Sequence, residues 1–234
     1  MIHYHGTPIT PRERLYELAG RHFCVSAAEP RDVKVCHEIG QSVMLDNGAF
    51  SFWRKNAIPE WDGVLDWMEP WLDYPTSWAV IPDVINGSEE ENDRLLVSWF
   101  ARRMPPGAPV WHIHESFERL RRLVSGYDRV CFGSSAEFAT IGTDMWHRRI
   151  SAAFDVIANT YGRVPWIHML RGLDLAGSIY PFASADSTNL ARNFKGSWSQ
   201  RPYPIAMRAA EIDAIQCPGR WHHYGSQQSL EVTA

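Results

Sequence analysis

The stretch from residue 77 to residue 115, SWAVIPDVINGSEEENDRLLVSWFARRMPPGAPVWHIHE, decides how the chain is read. It opens on a short apolar run, SWAVIPDV, and turns at Asn86-Gly87. It continues into SEEENDRLLVSWFARRM, where Ser88 and Glu91 stand in capping-box spacing. A second apolar run, PVWHIHE, follows. Short apolar runs bounded by turn residues and separated by a helix-like segment predict a strand, helix, strand unit.

The same alternation extends outward in both directions. IHYHG at 2–6, HFCVSA at 22–27, SVMLDNG at 42–48, RVCFGSS at 129–135, PWIHMLRG at 165–172 and PFASADS at 181–187 bring the strand-like runs to eight. Between them lie further helix-like segments. TPRERLYELAG has Thr10 as cap, Pro11 at the first helical position and Gly20 closing it; PEWDGVLDWMEPWL is another. Eight repeats of this kind predict an α/β chain, a closed (β/α)8 TIM-like barrel. An open doubly wound sheet is the alternative, but the first strand-helix turn lacks GxGxxG and the polar residues are spread over many strand ends. No repeat, low-complexity run or linker divides the chain. We therefore expect a single compact barrel domain over residues 1–196 and a short C-terminal extension over 197–234 packed on it.

With 45% hydrophobic and 21% charged residues, the 234-residue chain has an ordinary globular composition. Eleven tryptophans are many, and the polar edge of an indole suits a cleft wall. A net charge of −4 argues against a basic nucleic-acid coat. Arg102-Arg103, Arg119 with Arg121-Arg122, and Arg148-Arg149 could still supply a local basic face. Cys24, Cys36, Cys131 and Cys217 are far apart and show no CxxC spacing, so neither a disulfide framework nor a zinc knuckle is expected. MIHYHGTPIT lacks a signal pattern, and no run approaches the roughly 18 apolar residues of a membrane span. A reducing cytoplasm is the expected compartment.

In a barrel the chemistry collects at the C-terminal ends of the strands. The residues there are Asp46, Asp83, His112 and His114, Ser134 and Ser135, His168 and Arg171, and Asp186. Acids and imidazoles directly behind apolar runs are costly choices for packing alone, so these ends are expected to converge on one pocket. Asp46 and Asp186 should face each other across room for a ribose. Gly133 in FGSS would let a planar ligand approach the backbone. Asp186 is followed by Ser187, Thr188, Asn189, Arg192 and Asn193, which allows two readings: a helix cap, or a carboxylate oriented by its polar neighbours.

These segments resemble those of the tRNA-guanine transglycosylases. MLDNGAFSFW is similar to that family's Asp-Ser-Gly-Gly-Phe-Gln segment, and SADSTNLARN to its Asp-Cys-Val-x-Pro-Thr-Arg-x-Ala-Arg-Asn segment. AVIPDV resembles the segment with the base-reading aspartate, CFGSSAEF the Gly-Gly-Leu-Ser-Val-Gly turn, and IHMLRG the Leu-Met-Gly-Val-Gly strand. The order is kept from about residue 42 to residue 193, although no motif is identical. The resemblance implies a pentosyltransferase that exchanges a base at C1′ through a covalent aspartyl-sugar intermediate and needs no cofactor. Carried over, Asp186 is the nucleophile and Asp46 the general acid/base. Asp83 hydrogen-bonds the base beside Gly133, Ser134, His114 and Met169, while Asn189, Arg192, Asn193 and Arg171 hold the nucleic acid.

The departures are as informative. The family's Cys-x-Cys-x-x-Cys zinc site is missing, and Cys217 with His222 and His223 is too sparse to replace it, so no metal is expected. WHIHES stands where the family has Val-Gln-Gly, which puts a histidine in place of a base-reading glutamine. The chain is short and lacks an RNA-binding appendage. These differences favour the related enzymes of bacteria and phages that insert 7-deazaguanine bases into DNA, with tRNA as the lesser option. Two other classes compete. His3, His5, His112, His114 and Asp186 resemble the ligand set of an amidohydrolase-type metal hydrolase, although Phe132, Gly133 and Ser134 fill the sixth strand where that family places a histidine. A catalytically silent nucleic-acid-binding barrel would use Asp46 and Asp186 only as caps.

Overall fold

A computed structural model describes residues 1–105, 107–161, 164–172, 177, 179–193 and 204–222. Eight parallel strands form one curled sheet: β1 (Ile2–Gly6), β2 (His22–Ser26), β3 (Ser42–Asp46), β4 (Ser77–Ala79), β5 (Val110–His112), β6 (Arg129–Gly133), β7 (Trp166–Met169) and β8 (Ser184–Ser187). Their order is β4-β3-β2-β1-β8-β7-β6-β5, so the first and last strands of the chain are neighbours and β4 and β5 are the two ends. All eight expected runs contain a strand.

The helices among the described residues are α1 (Val33–Ile39), α2 (Ala49–Arg54), α3 (Trp61–Met68), α4 (Glu89–Ala101), α5 (Phe117–Gly126), α6 (Asp144–Tyr161), α7 (Asn189–Asn193) and α8 (Ile205–Ala214). At the start of α4 both halves of the capping box form, Ser88 Oγ accepting from the Glu91 N–H and the Glu91 carboxylate from the Ser88 N–H. TPRERLYELAG departs from expectation. It forms a 3-10 helix over Arg12–Leu18 with no side-chain cap from Thr10. Leu15 and Leu18, both fully buried, are three residues apart, the repeat of a 3-10 turn. Helix α3 gives way at Pro70 to a 3-10 turn over Glu69–Trp71.

The expected closed barrel does not form: the curled sheet is open between β4 and β5. β4 and β5 share no ladder; their chains meet at one parallel bridge, Val80 with Ala108. The physical reason lies in the carbonyls that face the seam. The Ile81 carbonyl accepts from the Asn47 side chain at 2.8 Å, and the Val110 carbonyl of β5 accepts from Arg119 at 2.8 Å. Backbone pairing across the seam therefore stops at the Ala108 N–H to Ala79 carbonyl and Ile81 N–H to Ala108 carbonyl hydrogen bonds.

Strand alternation sorts every side chain to one of two faces. Tyr4, Cys24, Met44, Trp78, Val80, Val110 and Cys131 pack inside the curl. Phe23, Val25, Val43 and Leu45 face one set of helices; Trp111, Phe132, Ile167, Met169 and Ala185 face another. The described part of the C-terminal extension covers the outside. His5 Nε2 is 3.0 Å from the Asp213 carboxylate of α8, which also pairs with Arg21. Trp221 donates to Asp155 at 2.7 Å. Residues 197–203 and 223–234 of the expected extension, His223 among them, lie outside the described residues.

Candidate active site

The C-terminal ends of the strands enclose a cavity of about 180 Å³ whose lining includes Asp46, Asp83, His112, Gly133, Arg171 and Asp186. The expected convergence is thus realised for the three acids, one histidine and the arginine. Thr188 and Ser134 also reach it.

Asp46 ends β3 and begins a turn locked by two side chains. Its Oδ2 accepts from the Gly48 N–H at 3.1 Å, and Asn47 Oδ1 accepts from the Ala49 N–H at 2.8 Å. Gly48, with φ +79°, is left-handed, and a Cβ there would meet Phe52 at 2.9 Å. Asp46 keeps an edge open to the cavity. Loss of water raises its pKa from 3.8 to about 6, against the pull of the Ser26 hydroxyl and with the nearby charges of Asp186 and Asp83 adding to the rise.

Asp83, buried, accepts from Asn47 Nδ2 at 2.7 Å through one oxygen and has His112 Nε2 at 2.9 Å from the other. The His112 contact is out of hydrogen-bond alignment, and both imidazole nitrogens are buried without a hydrogen-bond partner among the described residues. The ring can lie this way because β6 has a glycine beside it: a Cβ on Gly133 would sit 3.1 Å from His112 Nδ1. The freedom of Gly133 thus serves His112.

Asp186 Oδ1 accepts from the Arg171 backbone N–H at 2.7 Å and lies 3.3 Å from His168 Nε2. His168 Nδ1 is 2.8 Å from Ser184 Oγ, which accepts from Trp166 Nε1 at 2.8 Å. One set of protons satisfies this whole chain. Trp166 donates to Ser184, Ser184 to His168, and His168 to Asp186. Among the described residues no hydrogen bond joins the Asp186 carboxylate to α7. Ser187, expected to orient Asp186, instead accepts from the Asn189 N–H at the start of α7 through its Oγ.

Other expected residues stand elsewhere. Met169 is fully buried on the outer face of β7, and Leu170, one residue on, reaches the cavity. His114 follows the end of β5, where the chain turns on the Glu115 N–H to His112 carbonyl bond, and its Nδ1 meets Ser135 Oγ at 2.7 Å. Asn189, Arg192 and Asn193 of α7 do not line the cavity; Arg192 and Asn193 are exposed. His3 and His5 point outward, His3 to the Ile215 carbonyl at 3.1 Å and His5 to α8, because Tyr4 between them points inward. That removes the first-strand ligands of the metal-hydrolase reading. Among the described residues no group of three or more His, Cys, Asp or Glu is arranged to hold a metal.

Two of the candidate basic positions are structural. Arg119 is buried, its guanidinium bonded to Asp93, the Val110 carbonyl and Glu115 at 3.0, 2.8 and 2.6 Å. Glu115 in turn holds the His112 N–H and Asn92 Nδ2 at 2.9 and 3.0 Å. Arg149 donates to the carbonyls of Ile113 and Glu115 and lies 3.9 Å over the Phe117 ring. Phe50, which the sequence reading did not single out, lines the cavity with Arg171, whose guanidinium lies 3.8 Å over the Phe50 ring. Outside that lining, Trp53 stacks beside Phe50 at 5.8 Å, and Arg54 and Lys55 are exposed next in the chain. An aromatic followed by two cations after a strand-end acid was the available signal.

No protein family, curated protein or solved structure matches the chain. Among the described residues no helix is long and apolar enough to cross a membrane.

Proposed function

We propose that the protein is a base-exchange transglycosylase that replaces a guanine in nucleic acid, DNA in preference to tRNA, with a 7-deazaguanine base. The observation that carries this reading is the pairing, in one cavity, of two acids in unlike environments. Asp46 is held near pKa 6 by burial, and Asp186 is fixed by an N–H and an imidazole. A covalent displacement at C1′ needs such a division of labour. In the first half, an Asp186 oxygen bonds to C1′ as the C1′–N bond breaks, and Asp46 gives its proton to the departing base. In the second half, Asp46 takes a proton from the incoming base, whose nitrogen displaces Asp186 from C1′. His168 holds Asp186 in its attacking orientation.

Asp83 and His112 face the same cavity and supply acceptor and imidazole groups for a base edge that carries N–H donors. Phe50 and Arg171 in the lining, with Trp53 and Arg54 beside Phe50, suit the neighbouring nucleotides, aromatic faces for bases and cations for phosphates. On this reading the curled sheet is a TIM-like barrel opened at the seam between β4 and β5, working in the cytoplasm.

The test is mass spectrometry of nucleosides from the DNA and tRNA of cells expressing the wild type or Asp186→Asn. A 7-deazaguanine nucleoside is expected in the DNA of wild-type cells only. The substitution keeps the size of the side chain and its bond from the Arg171 N–H, so the variant should fold and lose exchange by several orders of magnitude. No modified nucleoside in either nucleic acid, or equal amounts with Asp186→Asn, would overturn the reading.

A further inference from the structure

At the opposite end of the sheet from the carboxylates, a larger cavity of about 670 Å³ lies under the seam between β4 and β5. Its walls are aromatic, with Trp78, Trp99, Phe100, Tyr127 and Trp166 prominent. Arg129, the first residue of β6, is the cation among the described residues that line it. The guanidinium lies over the rings of both Trp78 and Trp166, 4.4 and 4.6 Å from the ring centroids. Its Nε is buried with no hydrogen-bond partner, and the side chain forms no ion pair among the described residues.

Contact with two indole faces steadies a desolvated guanidinium. It does not satisfy the in-plane N–H groups. A buried donor without an acceptor is costly, and more so when charged. Most arginines recover this through a carboxylate, as Arg119 does with Glu115 in the same molecule. At Arg129 no such carboxylate is paired among the described residues, and the side chain lines the cavity.

We propose that this cavity is a binding site for an organic monocarboxylate with an aromatic or otherwise apolar body, its carboxylate held in the fork of Arg129. The planar fork matches a carboxylate in geometry, and the aromatic walls take the apolar body. A single cation sets the charge at one. Asp128 lies close enough for its charge to act on Arg129, so a doubly charged phosphate would be poorly neutralised there. The site is distinct from the Asp46–Asp186 cavity and does not depend on the function read there.

Isothermal titration of the full chain with 4-phenylbutyrate and with indole-3-acetate tests the proposal, each acid compared with its neutral amide and with inorganic phosphate. At least one acid should bind ten times more tightly than its amide and than phosphate. Arg129→Gln should weaken that binding at least tenfold. Gly126→Phe leaves Arg129 in place; a Cβ there has no heavy atom within 4 Å, and its ring would fill the cavity from the wall. It should weaken binding to the same degree. Circular dichroism melts establish that both variants are folded, and if Arg129→Gln is not, Gly126→Phe and the acid-amide ratio decide. Failure of both acids to bind, equal binding of acid and amide, tighter binding of phosphate, or wild-type affinity in either folded variant would overturn it.

Discussion

Asn47 donates to Asp83 Oδ1 across 2.7 Å and so ties the turn after β3 to the end of β4. The same amide holds the Ile81 carbonyl, and its oxygen accepts from the Ala49 N–H, so one buried side chain aligns two acids of the cavity. Asn47→Ala would leave three polar groups without their partner, at about 1–3 kcal/mol for each one that water cannot reach. We expect a loss of several kcal/mol in urea unfolding. Asn47→Asp, of equal size, would put a second carboxylate against Asp83 and should recover little of it. Wild-type stability in Asn47→Ala would show that water replaces the amide.

The pKa of Asp46 gives a stability signature with a definite sign. In the folded chain it is about 6, above the ordinary 3.8, so between those values the folded state keeps a proton that the unfolded state has lost. The resulting penalty is absent below about pH 4, grows as pH rises, and is complete above about pH 6. Asp46→Asn removes it. The variant should gain at most about 3 kcal/mol over the wild type at pH 8, relative to the same comparison at pH 4. Urea unfolding at the two pH values measures the difference; no gain at pH 8 would mean that the carboxyl is solvated.

Arg119 and Glu115 form a buried ion pair that carries β5, through the Val110 carbonyl and the His112 N–H. Removing one partner strands the other charge. Arg119→Met should therefore cost about 3–5 kcal/mol. Changing Glu115 to Gln in the Arg119→Met background should restore part of it, since the uncompensated charge is gone. Double-mutant-cycle unfolding measurements separate the two, and a background-independent effect of Glu115→Gln would count against coupling.

Arg171, and Trp53 beside Phe50, should contribute differently to binding a single-stranded oligonucleotide. Arg171→Ala should lower the slope of log affinity against log salt by about one phosphate contact. Trp53, 49% exposed, would stack on a base. Trp53→Ala should weaken binding by about 1–3 kcal/mol with the slope unchanged. Fluorescence anisotropy across a salt series distinguishes these outcomes. Unchanged affinity in both variants would move the nucleic-acid surface elsewhere, with Arg192 and Asn193 of α7 the next positions to test.

The alternation of strand and helix was legible in the sequence because it is written in local periodicity, turn residues and caps. Ser88 with Glu91 is read within one turn of chain, and the strand-end positions of Asp46, Asp83 and Asp186 follow from the apolar runs before them. Tertiary structure decided which neighbours share the cavity. A strand flips faces at every residue, so the choice between Met169 and Leu170 turned on a one-residue phase that a short apolar run does not define. The burial of Arg119, the outward turn of His3 and His5, and the bridge from Asn47 to Asp83 depend on partners 26, 212, 208 and 36 residues away in the chain. The open seam between β4 and β5 has the same origin: the loss of the Ile81 carbonyl to Asn47 exists only once β3 and β4 lie side by side. Local patterns encode which elements form, whereas the contacts that select a side chain's partner are made between segments that the fold alone brings together.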